Sequence, residues 1–162
     1  MNSGNTTDNV AAEPASRSAF SLSRVILYAI LLGLIAGLFW DMSQRKAIAK
    51  AETAVNDLVE QDIKDNRAYM KEKNRQMPYE ERAINHSAIQ KLFKETYGRE
   101  AESGSSQFGS VDNFYWNGFF YRYVLTVEYT SYQLKASGEG DKPKTVLIAS
   151  KASWESKMRF SD

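Results

Sequence analysis

Any chemistry in this chain would have to start from a single histidine. His86 stands between Asn85 and Ser87. A serine activated by an imidazole needs a third group to orient the ring, and immediate sequence neighbours seldom reach that geometry. His86 is therefore read as a residue at a helix start, in a capping or surface role. Glu80 with Glu81, and Glu100 with Glu102, are carboxylate pairs without a second set of ligands beside them. The first pair suits the opening turn of a helix after Pro78. The chain holds no Cys in 162 residues. That excludes disulfides, thiolate-bound zinc, iron–sulfur clusters and thiol catalysis. With 21 Lys+Arg against 20 Asp+Glu the net charge is +1, which gives no global attraction for nucleic acid. A Gly/Ser-rich stretch at 99–110 lacks the pattern and the following helix of a phosphate-binding loop and reads as a linker. No catalytic, cofactor-binding or metal-binding residue is expected, and no nucleic-acid partner.

The elements that would position such groups begin with a polar segment, 1–24, rich in Asn, Ser, Thr and Ala. It has too little apolar surface to offset its ordering entropy and is expected to be disordered. Two glycosylation sequons, at Asn5 and Asn85, are short, common patterns and carry no weight. Residues 25–40 then run sixteen positions without a charge. Extended by flanking apolar residues to 25–42, they approach the roughly 20 residues a bilayer core requires. Trp40 suits the interfacial belt. The run ends in Phe39-Trp40-Asp41, which is too bulky for a signal-peptide cleavage site, so an uncleaved anchor is expected. Flanking cations favour a cytoplasmic C-terminal part slightly. A short polar tail before a single first span favours export, and an extracytoplasmic C-terminal domain is the orientation taken.

Residues 43–76 contain no Gly or Pro. Ile48, Ala51, Val55, Leu58, Val59 and Ile63 follow one helical face, with charges on the others. A helical stalk is expected, its stripe either forming a coiled coil with another chain or packing on the C-terminal domain. That domain spans 78–157, with a tail at 158–162. Ser87 to Gln90 fits a capping box, Ile89, Leu92, Phe93 and Tyr97 form an apolar face, and Gly98 is a stop, which gives a helix over 88–97. Asn117-Gly118 between aromatic runs signals a hairpin. Tyr121, Tyr123, Leu125, Val127 and Tyr129 alternate onto one face of the second strand. Val146, Ile148, Ala152 and Trp154 do so on a third. The fold class expected is α+β, with a transmembrane helix, a stalk and a short helix on a three-stranded antiparallel sheet. Most of its aromatics would fill the core. The candidate partner surface is Tyr115, Trp116, Phe120, Arg122 and Tyr132.

The run Ser87-Ala88-Ile89-Gln90-Lys91-Leu92-Phe93, then Gly98, Tyr115-Trp116-Asn117-Gly118 and Tyr123-Val124-Leu125-Thr126-Val127-Glu128-Tyr129, resembles the small α/β domains of the barrel-assembly lipoproteins and of β-lactamase-inhibitor-like repeats. With the membrane segment added, the chain also resembles uncharacterised bacterial single-span membrane proteins that carry such a domain. It lacks the lipidated Cys of the lipoproteins. The resemblance implies protein–protein contact or scaffolding at an envelope rather than catalysis. The chain is thus read as a single-pass membrane protein that meets the lipid bilayer through 25–42. Its C-terminal domain would bind a protein partner or self-associate. The alternative is a membrane-tethered enzyme whose carboxylates or hydroxyls meet only in three dimensions, in a deep pocket with at least two convergent titratable groups.

Overall fold

The computed structural model describes residues 17–106, 109–134 and 144–159. Helix α1, Arg17–Lys73, comes first. A short 3-10 turn, Tyr79–Glu81, leads to helix α2, His86–Leu92, which continues as a π-turn over Phe93–Tyr97. Four strands follow: β1 Glu102–Ser106, β2 Gly109–Asn117, β3 Tyr121–Leu134 and β4 Lys144–Met158. They form one antiparallel meander in the order β1-β2-β3-β4. The fold is α+β, with four strands where three were expected. The extra strand, β1, lies in the Gly/Ser stretch read as a linker, and its backbone pairs with β2 from Glu102↔Asn113 to Ser106↔Gly109.

The described residues fall into two compact units, divided between Ala36 and Gly37. In the first, residues 17–36 are helical, so the segment expected to be disordered is helix from Arg17 onward; residues 1–16 and the Asn5 sequon lie outside the described residues. Large apolar side chains from Leu22 to Ile35 are exposed. Helix α1, which carries them, is long and apolar enough to cross a membrane by length and composition.

The second unit begins at Gly37, so the stalk is not a separate part. Ile48, Ala51 and Val55 are fully buried in the core of the sheet domain, with Leu58 and Val59 packed partly against it. The stripe packs on its own domain, one of the two expectations for it. Asn56 adds a backbone-like tie. Its amide donates to the Ala152 carbonyl at 3.2 Å and accepts from the Ala152 N–H at 3.0 Å. The Ala149 N–H donates to the Ile84 carbonyl at 2.9 Å, and Asn85 bridges Ile148. These contacts occupy backbone groups along β4 that an edge strand otherwise leaves free to pair with other chains.

Helix α2 forms much as its sequence dictates, with one correction at its start. The N-cap is Asn85, whose side-chain oxygen accepts from the Ala88 N–H at 2.9 Å. Gln90 does not close a capping box with Ser87. At the other end Gly98 adopts φ 60°, the left-handed conformation that only glycine takes without strain, and its N–H donates back to the Phe93 carbonyl. Ile89 and Phe93 are fully buried. Phe93 stacks on Phe114 with ring centroids 3.8 Å apart and meets Trp116 edge-on at 6.3 Å. The helix thus docks on β2, and Leu125 and Val127 of β3 belong to the same buried core.

The alternation expected in β3 holds at Tyr123, Leu125, Val127 and Tyr129, all buried. In β4 the four expected residues reach one core, Ile148 and Ala152 buried in it and Val146 and Trp154 packed against it, but the strand is irregular between them. Lys151 pairs with Glu128 and Ala149 with Tyr129, which leaves Ser150 as a bulge. An extra residue inverts the side-chain alternation. Ala152 and Trp154 therefore lie opposite Val127 and Leu125, while Ile148 and Val146 lie opposite Thr130 and Tyr132. The domain also reaches beyond the expected tail boundary, since Met158 pairs with Tyr121 and the Arg159 N–H donates to the Phe120 carbonyl at 2.9 Å.

Candidate functional site

The principal polar constellation lies under α2, around Asp112. Strand alternation puts Asp112 on the same face of β2 as Phe114 and Trp116, so the fold carries its carboxylate into the core, where the residue is 1 % exposed. An unpaired carboxylate there would be very costly. Four side chains from three elements meet it. The Ser103 hydroxyl of β1 donates to Oδ1 at 2.6 Å. Oδ2 receives the Tyr129 hydroxyl of β3 at 3.1 Å and the Gln90 amide of α2 at 3.4 Å. It also stands 3.0 Å from His86 Nε2, at the start of α2.

His86 Nε2 also lies 3.1 Å from the Gln90 amide nitrogen. A proton on Nε2 would be donated to Oδ2, whereas a bare Nε2 would accept from the Gln90 amide. The ring meets Tyr129 edge-on at 5.1 Å. Burial, and then the Asp112 charge and hydrogen bond, push the Tyr129 phenol well above its ordinary range. Tyr129 is thus held neutral as a donor.

The imidazole edge reaches an open depression of about 370 Å³ that includes Glu80, Ser87, Lys144 and Thr145. Lys144 and Glu80 pair across it at 3.5 Å. A carboxylate that orients an imidazole can support proton transfer at the outer ring nitrogen. The cluster does not assemble a nucleophile: the Ser103 hydroxyl is spent on Asp112, not on His86. Among the described residues no group of three or more carboxylate or imidazole side chains is placed to hold a metal ion. Sequence reasoning separated His86 from its partner because the two lie far apart in the chain. The available signal was Asp112 itself, a carboxylate on the alternation of Phe114 and Trp116.

A second constellation ties α1 to the β2–β3 turn. The Asp41 carboxylate accepts from the backbone N–H of Phe120 at 2.9 Å and of Tyr121 at 3.4 Å. The Tyr123 hydroxyl donates to the Asp41 carbonyl at 3.2 Å, and Trp40 Nε1 donates to the Asn117 carbonyl at 3.1 Å. The Asn-Gly hairpin forms where expected but differently. The Gly118 N–H donates to the Tyr121 carbonyl at 2.8 Å, and the turn takes in Phe119 and Phe120. Gly118 has no positive φ. Glycine serves here because Asp41 leaves no room for a Cβ.

The candidate partner residues do not form one patch. Trp116 is a core residue, 2 % exposed, because it shares the face of Phe114. Tyr115 and Arg122 lie on the opposite face of the sheet, with the guanidinium 5.1 Å from the ring centroid. Phe120 lies in the β2–β3 turn against Phe119. Tyr132, toward the other end of β3, stacks on Tyr79 at 4.5 Å. Tyr79 in turn lies under Arg82, which forms a buried ion pair with Asp62 of α1.

No protein-family model matches the chain, and neither do any curated protein or solved structure.

Proposed function

We propose that the chain is a single-pass membrane protein, anchored uncleaved through 25–42, that presents an extracytoplasmic α+β domain as a protein-interaction or scaffold module at the cell envelope. The observation that carries this reading is a contrast within α1. From Val25 to Trp40 its large side chains are exposed and apolar, and beyond them Asp41, Ile48, Ala51 and Val55 are buried and complete a folded domain. A continuous apolar surface of that kind wants a nonaqueous surrounding. The Asp112 cluster supports a role without catalysis, since its hydroxyl, phenol and amide are bonded to the carboxylate and tie four elements together. The resemblance to small domains of envelope lipoproteins points the same way. Tyr115, Phe120 and Arg122 remain the partner-facing residues in this reading. The test is crosslinking in native membranes through those three positions. A reproducible crosslinked protein or self-dimer supports it; a chain that stays uncrosslinked at all three positions contradicts it.

A second reading, a membrane-tethered enzyme, draws on the Asp112–His86 couple beside the depression. It requires that a hydrolytic or proton-transfer activity of the purified chain disappear with His86→Gln while the fold survives.

A further inference from the structure

We propose that the β2–β3 end of the sheet rests on the membrane that holds the anchor and binds the headgroups of acidic phospholipids there. This rests on the reading of 25–42 as a membrane anchor and deepens it.

The placement follows from contacts within the domain. Phe119, at the turn, packs its ring against Gly37, where an added Cβ would lie 2.8 Å from a ring carbon. Trp40 and Asp41 hold the same turn by hydrogen bonds to Asn117, Phe120 and Tyr121. Gly37 lies three residues, roughly 4.5 Å of helix rise, before the end of the apolar run at Trp40. A turn fixed to the last helical turn of a membrane segment is fixed at the depth of the headgroups. Its chemistry fits that depth. Phe119 is 49 % exposed and Met158 is 52 % exposed, large apolar side chains at one end of the sheet.

Cations surround them. Arg122 and Lys157 are paired across β3 and β4. Arg159 Nη1 donates to the Gly118 carbonyl at 3.0 Å, which draws a third cation to the turn. These three, with Asn117 and Met158, line a depression of about 340 Å³. Among the described residues, acidic groups also lie near, including Glu102, which hydrogen-bonds with Tyr115 beside Arg122. Glu155 pairs with Lys157 at 3.1 Å, and Asp41 is buried beneath the turn. Exposed aromatic and thioether side chains ringed by Arg and Lys suit an interface of acyl chains and phosphates. Near an acidic leaflet each such cation contributes an attraction of about fivefold.

The chain's lack of cysteine makes the test direct. Spin labels would be placed singly at Phe119→Cys, at Met158→Cys, at Ser131→Cys toward the other end of β3, and at Leu31→Cys in the apolar run. The full chain would be reconstituted in nanodiscs of phosphatidylcholine with and without phosphatidylglycerol, and collision rates with oxygen and with a water-soluble nickel chelate compared. The expected result is that the labels at 31, 119 and 158 favour oxygen several-fold over the label at 131. Phosphatidylglycerol should strengthen this at 119 and 158, and Arg122→Gln with Lys157→Gln should remove that gain. Labels at 119 and 158 as open to nickel as that at 131, with the label at 31 in lipid, would overturn the inference and leave the anchor standing. A label at 31 in water would overturn both. Lipid contact at 119 and 158 that is indifferent to phosphatidylglycerol would overturn the headgroup claim.

Discussion

Gly118 and Asp41 share one space: a Cβ on Gly118 would overlap Asp41 Oδ1. The residues are 77 positions apart, yet the carboxylate of one fills the space the other leaves vacant. Gly118→Ala should therefore destabilise the domain by about 1–3 kcal/mol, the usual cost of forced overpacking. In an Asp41→Ala background the same change should cost less, because the carboxylate overlap is gone and only the Tyr121 carbonyl, 2.9 Å from the added Cβ, still crowds it. A double-mutant cycle from denaturant melts of the detergent-solubilised chain measures the coupling.

Phe93 carries the docking of α2 through its stack on Phe114. Phe93→Ala should cost about 3–5 kcal/mol. Lys91→Ala, on the exposed face of the same helix, should change stability by less than about 0.5 kcal/mol. Equal midpoints in urea for the two variants would mean that α2 is not part of the core.

Asp112 is the common acceptor for four side chains. Asp112→Ala should cost at least about 3 kcal/mol, since it strands the buried Tyr129 hydroxyl and frees the His86 ring. With one histidine in the chain, its two ring nitrogens give a single pair of 15N signals. These should shift between the parent and Asp112→Ala, since the substitution removes the carboxylate 3.0 Å from Nε2.

Alkaline stability should follow the tyrosines. Burial and Asp112 raise the Tyr129 phenol above its ordinary 10.0, and burial does the same for Tyr123 with Asp41 beside it. The folded chain keeps these protons when the unfolded chain has begun to release them. Their stabilising contribution is complete below about pH 10 and falls above it, by up to about 1.4 kcal/mol per pH unit for each group. Melting temperature against pH should drop above that point, and Tyr129→Phe should flatten the drop while lowering stability at neutral pH by about 1.5–3 kcal/mol, the lost hydrogen bond to a charged group.

What the sequence disclosed and what it hid divide along a physical line. Helix α2 and the faces of β3 were legible because periodicity and stop signals are local, as at Ile89, Phe93 and Gly98. The strand β1 was not, because Glu-Ser-Gly-Ser-Ser has little β-propensity and is recruited by pairing with β2. The bulge at Ser150 is not legible either, because it depends on the pairing of β4 with β3 and not on the local sequence. Asp41 looked like a charge ending an apolar run; only the returning β2–β3 turn makes it a structural ligand. The compact unit that holds the sheet accordingly begins at Gly37, inside the apolar run. Trp116 read as surface because aromatics crowd both faces of that hairpin, and its register opposite Tyr123 decides the matter.

The central claim is that the N-terminal apolar segment anchors this domain in a membrane without being removed. Alkaline carbonate extraction of membranes from cells making the full chain with a C-terminal tag tests it most directly. The account expects the tagged protein in the pellet, at the mass of the whole chain. Recovery in the supernatant, or in a form shortened from the N-terminus past the apolar run, would contradict it.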